Sequence, residues 1–184
     1  VESACGSVVA RTMVLYMKYW LLLLLTALMS CFSNAAEQES ESYADKVVVL
    51  KVGEKSLMNK HSFKYWRKVL KRADAEKARA VVFEIETPGG YAMETADLIT
   101  RVMPDLTVPT IAFVNRNATS AGSMIAFGCD KIYMHPRGTI GSTGIVSGAG
   151  EIDPVMRAKM ESLFQSYVKI VAKEKGRNAD VMKA

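Results

Sequence analysis

The sequence predicts an α/β fold with a largely parallel sheet flanked by helices, and three observations carry that prediction. Runs rich in β-branched residues, KVVVLKV at 46–52, AVVFEIE at 80–86 and PTIAFV at 109–114, have the length and composition of strands. Segments with apolar residues at three- and four-residue spacing alternate with them, which is the order of βαβ units. Gly-bearing turns follow successive strands, at TPGG 87–90, TSAG 119–122 and GTIGSTG 138–144.

The 184 residues hold one domain with a proper core, hardly two. A 49% hydrophobic fraction with 23% charged residues is globular rather than disordered. The net charge of +5 is scattered among Lys/Glu-rich helices, with no basic stripe interleaved with aromatics, which argues against a nucleic-acid partner.

The N-terminal residues read as a leader rather than as part of the fold. Met17-Lys18 precedes the apolar run WLLLLLTALM, and Ser33-Asn34-Ala35-Ala36 supplies small residues before a polar stretch. That is a positive n-region, an h-region and a cleavage site after Ala35. The apolar run falls short of the roughly 20 residues of a membrane span. Residues 1–35 are thus expected to be a signal peptide with an over-extended start, Val1–Tyr16, and 36–45 a polar linker before a domain at 46–184. A rival processing treats Leu28-Met29-Ser30-Cys31 as a lipoprotein box with Cys31 lipidated. Both readings export the protein, to the periplasm or a membrane surface. Cleavage after Ala35 leaves Cys129 as the single cysteine, so neither a disulfide nor a cysteine metal cluster is expected. With His61 and His135 the two histidines, a zinc site is not expected either, and no cofactor is implied.

Within the domain, 46–52 reads as a buried strand, and 61–76 as a helix with Phe63, Trp66, Leu70 and Ala73 on one face. Strand 80–86 leads to a second helix at 92–103, stopped by Pro104. Strand 109–114, a short apolar helix at 120–127 and strand 131–134 follow. The stretch 138–144 reads as a flexible loop. A long helix at 153–175 places Met156, Met160, Leu163, Phe164, Tyr167 and Val171 on one face.

In open α/β sheets the ligand site lies beyond the carboxyl ends of the strands, so the three Gly-bearing turns should gather on one edge. Gly89 and Gly90 allow close backbone approach and aim amides at a ligand. Ser120, at the first turn of its helix, gains from the positive end of the helix dipole. A hydroxyl beside donated amides is the layout of a nucleophile with an oxyanion hole. TPGG lacks both the GxGxxG and the GKS/T spacing of phosphate loops, and alone it reads as a turn. ATSAG is also similar to the G-x-S-x-G elbow of α/β-hydrolases, with Ala118 in the first glycine's place. That fold needs an acid and then a histidine well downstream, and His135 is only fifteen residues on. A lysine serves as base when burial lowers its pKa. Among Lys159, Lys169, Lys173 and Lys175, helical periodicity sets Lys159 on the shoulder of the apolar face, although a helical lysine is ordinarily a solvated one.

IETPGG, ATSAGSMIAFGCDKIYMHP, GTIGS and KMESLFQSYVKIVAKEKGRNAD, in that order, resemble the ClpP/crotonase superfold. Within it they resemble the NfeD-type membrane-associated serine proteases, kin to signal peptide peptidase A, over residues 46–184. The resemblance implies repeated ββα and βαβ units, with Ser120 as nucleophile and Ser123, one turn deeper, as packing. It implies oxyanion donation by the amides of Gly89, Gly90 and Ala121. It also implies a Ser–Lys dyad whose lysine stands seventeen residues before the Gly of Gly-Arg-Asn, which is Lys159. The histidine of a ClpP triad has no counterpart after Ser120. Ser142 or Thr143 is a candidate to orient the lysine amine.

The expected function is an exported serine endopeptidase acting on apolar segments of membrane proteins or on signal peptides, assembled as a homo-oligomer and associated with membranes. Relatives of this type continue past the point matching Ala184, so a C-terminally truncated chain is expected, with its isolated activity open. Two other classes fit the same fold. A crotonase-like acyl-CoA enzyme needs CoA, which an exported protein does not meet, and an inactive scaffold needs neither Ser120 nor Lys159.

Overall fold

The computed structural model describes residues 18–21, 41–142 and 152–180. The chain divides into two units, Val1–Glu41 and Ser42–Ala184. In the first, residues 18–21 are helical. No helix among the described residues is long and apolar enough to cross a membrane. The leader's cleavage site and Cys31 lie outside the described residues.

The second unit is a parallel sheet with helices between its strands, as the sequence predicts. Strand β1 (Val47–Val52) pairs with β2 (Ala80–Thr87), and β2 pairs with β3 (Thr110–Thr119). The other side of β3 is shared by two short strands. Strand β4 (Lys131–Met134) lies beside its first half and β5 (Thr139–Gly141) beside its second. All four pairings are parallel, so β3 is the central strand.

Helix α1 (Lys60–Ala75) crosses from β1 to β2. Asn59 caps it, its Oδ1 accepting from the His61 N–H at 2.9 Å, which satisfies one orphan donor of the first turn. It buries Phe63, Trp66, Val69, Leu70 and Ala73, the predicted face plus Val69. Helix α2 (Ala92–Asp97) runs into a wider turn at Leu98–Val102 and a tight turn at Met103–Asp105. The regular helix expected over 92–103 is therefore irregular in its second half. Pro104 has no amide to donate one turn back, so the helix cannot continue through it. Helix α3 (Ala121–Gly128) is buried along its whole length, and α4 (Pro154–Glu174) buries Phe164, Val168, Val171 and Ala172.

One face of the sheet forms the core. Leu50 and Val52, Val81, Phe83 and Ile85, and Ala112 and Val114 all join one buried cluster with Phe63, Trp66, Leu70, Ile125 and Val171. The opposite face is open among the described residues. Val47 and Val49 are 51% and 53% exposed, and Tyr133 is 55% exposed. The expectation that 46–52 is a buried strand thus holds for one face, because helices cover only one face of β1.

Two further differences concern the strand ends. Strand β3 runs five residues past the predicted 114, through the polar Asn115-Arg116-Asn117. Side chains stabilise this extension: Asn115 Nδ2 donates to Glu86 Oε2 at 2.9 Å, and Asn117 Nδ2 to the Thr87 carbonyl at 3.0 Å. The stretch read as a flexible loop supplies β5, with Asn117, Ala118 and Thr119 opposite Thr139, Ile140 and Gly141.

The loop into β3 is held by Asp74 on the last turn of α1. Its Oδ1 accepts from the Thr107 amide and hydroxyl, both at 2.7 Å, and from the Val108 amide at 2.9 Å. The Thr107 hydroxyl, followed by the two amides, holds the Asp74 carboxyl below its ordinary value. A lowered native pKa means the unfolded chain binds this proton more readily, so the contribution is present above the ordinary carboxylate range, about pH 4, and lost as pH falls through the native value. Asp74→Asn is therefore expected to melt below the parent at pH 7. The gap should close as pH falls below about 4 when thermal unfolding is followed by circular dichroism.

Candidate active site

At the end of β3 the chain turns into α3 through Ser120, which has φ 53° and ψ −122°. A positive φ at a non-glycine residue costs on the order of 1–3 kcal/mol and persists only where neighbours over-determine it. Here they do. The Ser120 N–H donates to the Gly141 carbonyl of β5 at 3.0 Å. Its own carbonyl accepts from the Ser123 and Met124 amides at 3.0 and 3.3 Å and from the Ser123 hydroxyl at 2.7 Å. Ser123 is fully buried, so its hydroxyl fastens the turn, whereas Ser120 is partly exposed.

The turn after β2 lies directly against Ser120. Gly89 has φ +119°, and a Cβ there would stand 2.8 Å from Ser120 Cβ and 3.2 Å from Ser120 Oγ. Only a glycine backbone takes that conformation with the serine side chain so near. Thr87 is fully buried and its Oγ1 accepts from the Gly89 amide at 3.3 Å, shaping the turn. Gly90 is squeezed from the other side, since its Cβ would be 2.4 Å from the Leu57 carbonyl, and the adjacent Tyr91 N–H donates to that oxygen at 2.8 Å. Gly122 lets the first turn of α3 sit on β2, where a Cβ would be 2.5 Å from Thr87 Cγ2. The amides of Gly90 and Ala121 have no acceptor among the described residues. Ala121 opens α3, and the first amides of a helix lack intrahelical partners.

The other sequence candidates are placed less closely. Lys159, on the second turn of α4, is exposed, and no hydrogen bond or ion pair joins it to Ser120. The expected apolar face of α4 is corrected accordingly. Met156 is 51% and Leu163 40% exposed, while Val168 and Ala172, outside the predicted set, are buried. Periodicity finds an apolar stripe, but the side chains α4 buries all lie in its C-terminal half, from Phe164 onward. Ser142 is exposed with φ 55°, and Thr143 lies outside the described residues. His135 is exposed at the end of β4, where its Nδ1 accepts from the Arg137 amide at 3.2 Å. Among the described residues no three His, Cys, Asp or Glu side chains group to hold a metal.

Sequence reasoning missed a polar junction at the far end of α3. Asp130 pairs with Lys175 at 2.7 Å and accepts from the Thr110 amide and hydroxyl at 2.7 and 2.8 Å. Partial burial raises the Asp130 carboxyl, but the Lys175 and Thr110 bonds outweigh it and the net direction is down. Beside it, Cys129 is fully buried and its Sγ–H donates to the Ile125 carbonyl at 3.3 Å. Burial, reinforced by the Asp130 charge, pushes that thiol far up. The signal in the sequence was Cys-Asp closing an apolar helix, matched by Lys-Gly-Arg closing another.

Together the fold and the strained serine define an α/β domain of the ClpP type, with a hydroxyl and glycine-rich backbone at the carboxyl edge of the sheet. The 1510-N membrane-bound stomatin-specific protease has this fold. One of its structures, a serine-to-alanine variant, matches with a TM-score of 0.60 at 27% identity over 77% of this chain and 69% of that one. A second, a lysine-to-alanine variant in complex with a substrate peptide, matches at 0.61 and 27%, over 77% of this chain and 64% of that one. This chain belongs to the family of NfeD1b N-terminal domains, whose model matches residues 46–184. The membrane-bound protease PH1510 of Pyrococcus horikoshii is 29% identical over 132 residues, 69% of this chain and 30% of that protein. Membrane protein NfeD1b of Bacillus subtilis is 44% identical over 82 residues, 42% of this chain and 18% of that protein. The chain thus spans less than a third of the length of either curated relative.

A side chain at Gly89 must displace Ser120, and one at Gly90 must displace the Leu57 backbone. Gly89→Ala and Gly90→Ala are each expected to lower stability by about 1–3 kcal/mol, read from the urea midpoint at unchanged m.

Proposed function

We propose that this chain carries the catalytic domain of a serine endopeptidase, with Ser120 as nucleophile and Lys159 as general base. The observation behind the reading is the strained Ser120, fixed between strand and buried helix with Gly89 against its side chain. Membership of the NfeD1b N-terminal family supports it, as does likeness to a solved protease of which a serine variant and a lysine variant are known.

In this reading neutral Lys159 takes the Ser120 Oγ proton as Oγ attacks the scissile carbonyl. The Gly90 and Ala121 amides receive the oxyanion, joined by the Gly89 amide once it turns from Thr87 Oγ1, and the α3 N-terminus adds its dipole. The intermediate collapses as the lysine ammonium protonates the leaving amine. Water, deprotonated by the same lysine, then releases the acyl group and restores Oγ–H. Ser142 and Thr143 are the candidates to orient the amine.

A lysine acts as base at neutral pH only after losing its water. Val155, Met156 and Leu163 stand three and four residues from Lys159 on the same helical face and are 63%, 51% and 40% exposed. Covering that face with a second copy of the chain, the homo-oligomer the family resemblance implies, removes water from the amine. The substrates in this reading are apolar segments of membrane proteins or signal peptides, met outside the cytoplasm after export and at a membrane surface. The substrate-peptide complex of the stomatin-specific relative supports a peptide ligand.

The test incubates the protein with fluorogenic apolar peptides and with casein between pH 7 and 10. Ser120→Ala and Lys159→Ala should each lower turnover by about a thousandfold or more. Parent turnover should exceed that of both variants throughout that pH range. Turnover surviving Ser120→Ala would falsify the assignment.

A further inference from the structure

Helix α4 ends in a double-bonded cap. Gly176 takes φ +62°, its N–H reaches the Lys173 carbonyl at 3.4 Å, and the Arg177 N–H reaches the Ala172 carbonyl at 2.8 Å. This is the left-handed stop that glycine permits, and it satisfies carbonyls the helix would otherwise leave bare. Just past the stop, the Arg177 side chain crosses to the neighbouring helix. Its guanidinium donates to the Phe127 carbonyl in the last turn of α3 and to the Asp130 carbonyl at 3.1 Å. Those oxygens sit at the negative end of α3, so a cation from one helix caps the other. Lys175 adds its bond to the Asp130 carboxylate, which also holds the start of β3 through Thr110. The ends of α4, α3 and β3 are pinned at one place.

The rest of α4 makes this junction consequential. The helix has no buried side chain before Phe164, so the half carrying Lys159 projects from the half that is packed. Lys159 lies sixteen residues before Lys175, about 24 Å along the axis. A tilt of about 5° at the pinned end moves Lys159 by about 2 Å, as follows from a helical rise of 1.5 Å per residue.

We propose that Arg177 is a positioning residue: by capping the helix that begins at Ser120, it sets the direction of the helix that carries Lys159. The catalytic part of this inference rests on the Ser120–Lys159 reading above; the mechanical part does not.

The test uses Arg177→Met, which removes both carbonyl contacts, and Arg177→Lys, which keeps the charge without the fork. In the full chain bearing Cys5→Ser and Cys31→Ser, nitroxides at Val155→Cys and Tyr133→Cys report the distance between α4 and the sheet by pulsed electron resonance. Both positions are exposed, and Cys129 is too buried to label. Arg177→Met should broaden the distance distribution and lower kcat on the fluorogenic peptide by about 100-fold at unchanged KM. Arg177→Lys should recover part of both. If the Met variant does not fold by circular dichroism, the Lys variant carries the comparison, and a distribution and kcat equal to the parent's in that variant overturn the proposal. So does a Met variant whose distances match the parent's. A parent without Ser120-dependent turnover defeats the proposed function, while the distance measurement still decides whether Arg177 sets the helix.

Discussion

Where β3 becomes α3, the backbone is forced through a conformation that serine disfavours, and its neighbours are arranged around keeping it there. Gly141 supplies the acceptor for the Ser120 amide, so β5 must lie beside the second half of β3 rather than float as a loop. That requires β3 to extend to Thr119, which in turn requires partners for its polar residues, found in Glu86 and the Thr87 carbonyl. On the other side Ser123 gives up its hydroxyl to the same carbonyl its amide bonds, a use open only to a small buried polar side chain. Gly89 in the β2 turn follows from the same requirement, because the serine side chain occupies the space its Cβ would need, while Gly90 answers to the Leu57 backbone on the other side.

Much of this order was legible in the sequence, and the parts that were not share a cause. The alternation of apolar runs gave the strands and their parallel pairing, and the spacing of Phe63, Trp66 and Leu70 gave α1 nearly to the residue. The gathering of TPGG and TSAG at one edge also followed from topology, and Gly89 does touch Ser120. Periodicity, however, reports that a face is apolar and not what covers it. Val47 and Val49 in β1 and Met156 and Leu163 in α4 all read as core, and all are exposed. Lys159 shares that difficulty, since its neighbours on the helix make it look sheltered when nothing described lies over it. The strand at 139–141 was hidden for a different reason. Thr139-Ile140-Gly141 is only three residues long and lies among glycines, too short a run for its own pattern to mark a strand, and pairing with β3 makes it extended.

The two ends of α3 divide the labour of the domain. Its N-terminus carries a strained, partly exposed serine, while its C-terminus is closed by a guanidinium and flanked by an ion pair. Between them all eight residues are buried, so the helix is a rigid apolar strut that transmits position from the polar junction to the serine. The open face of the sheet stands apart from this arrangement. Parallel sheets are ordinarily covered on both faces, and here the described residues cover one.

Cys129, at the foot of that strut, gives the molecule a silent reporter. The thiol is shielded by burial, and its shifted ionisation leaves almost none of the reactive thiolate in the closed fold. A small alkylating reagent can therefore reach it only in molecules whose α3 foot has come apart. The speed of alkylation under native conditions measures how often the strut detaches, without any label having been added to the chain.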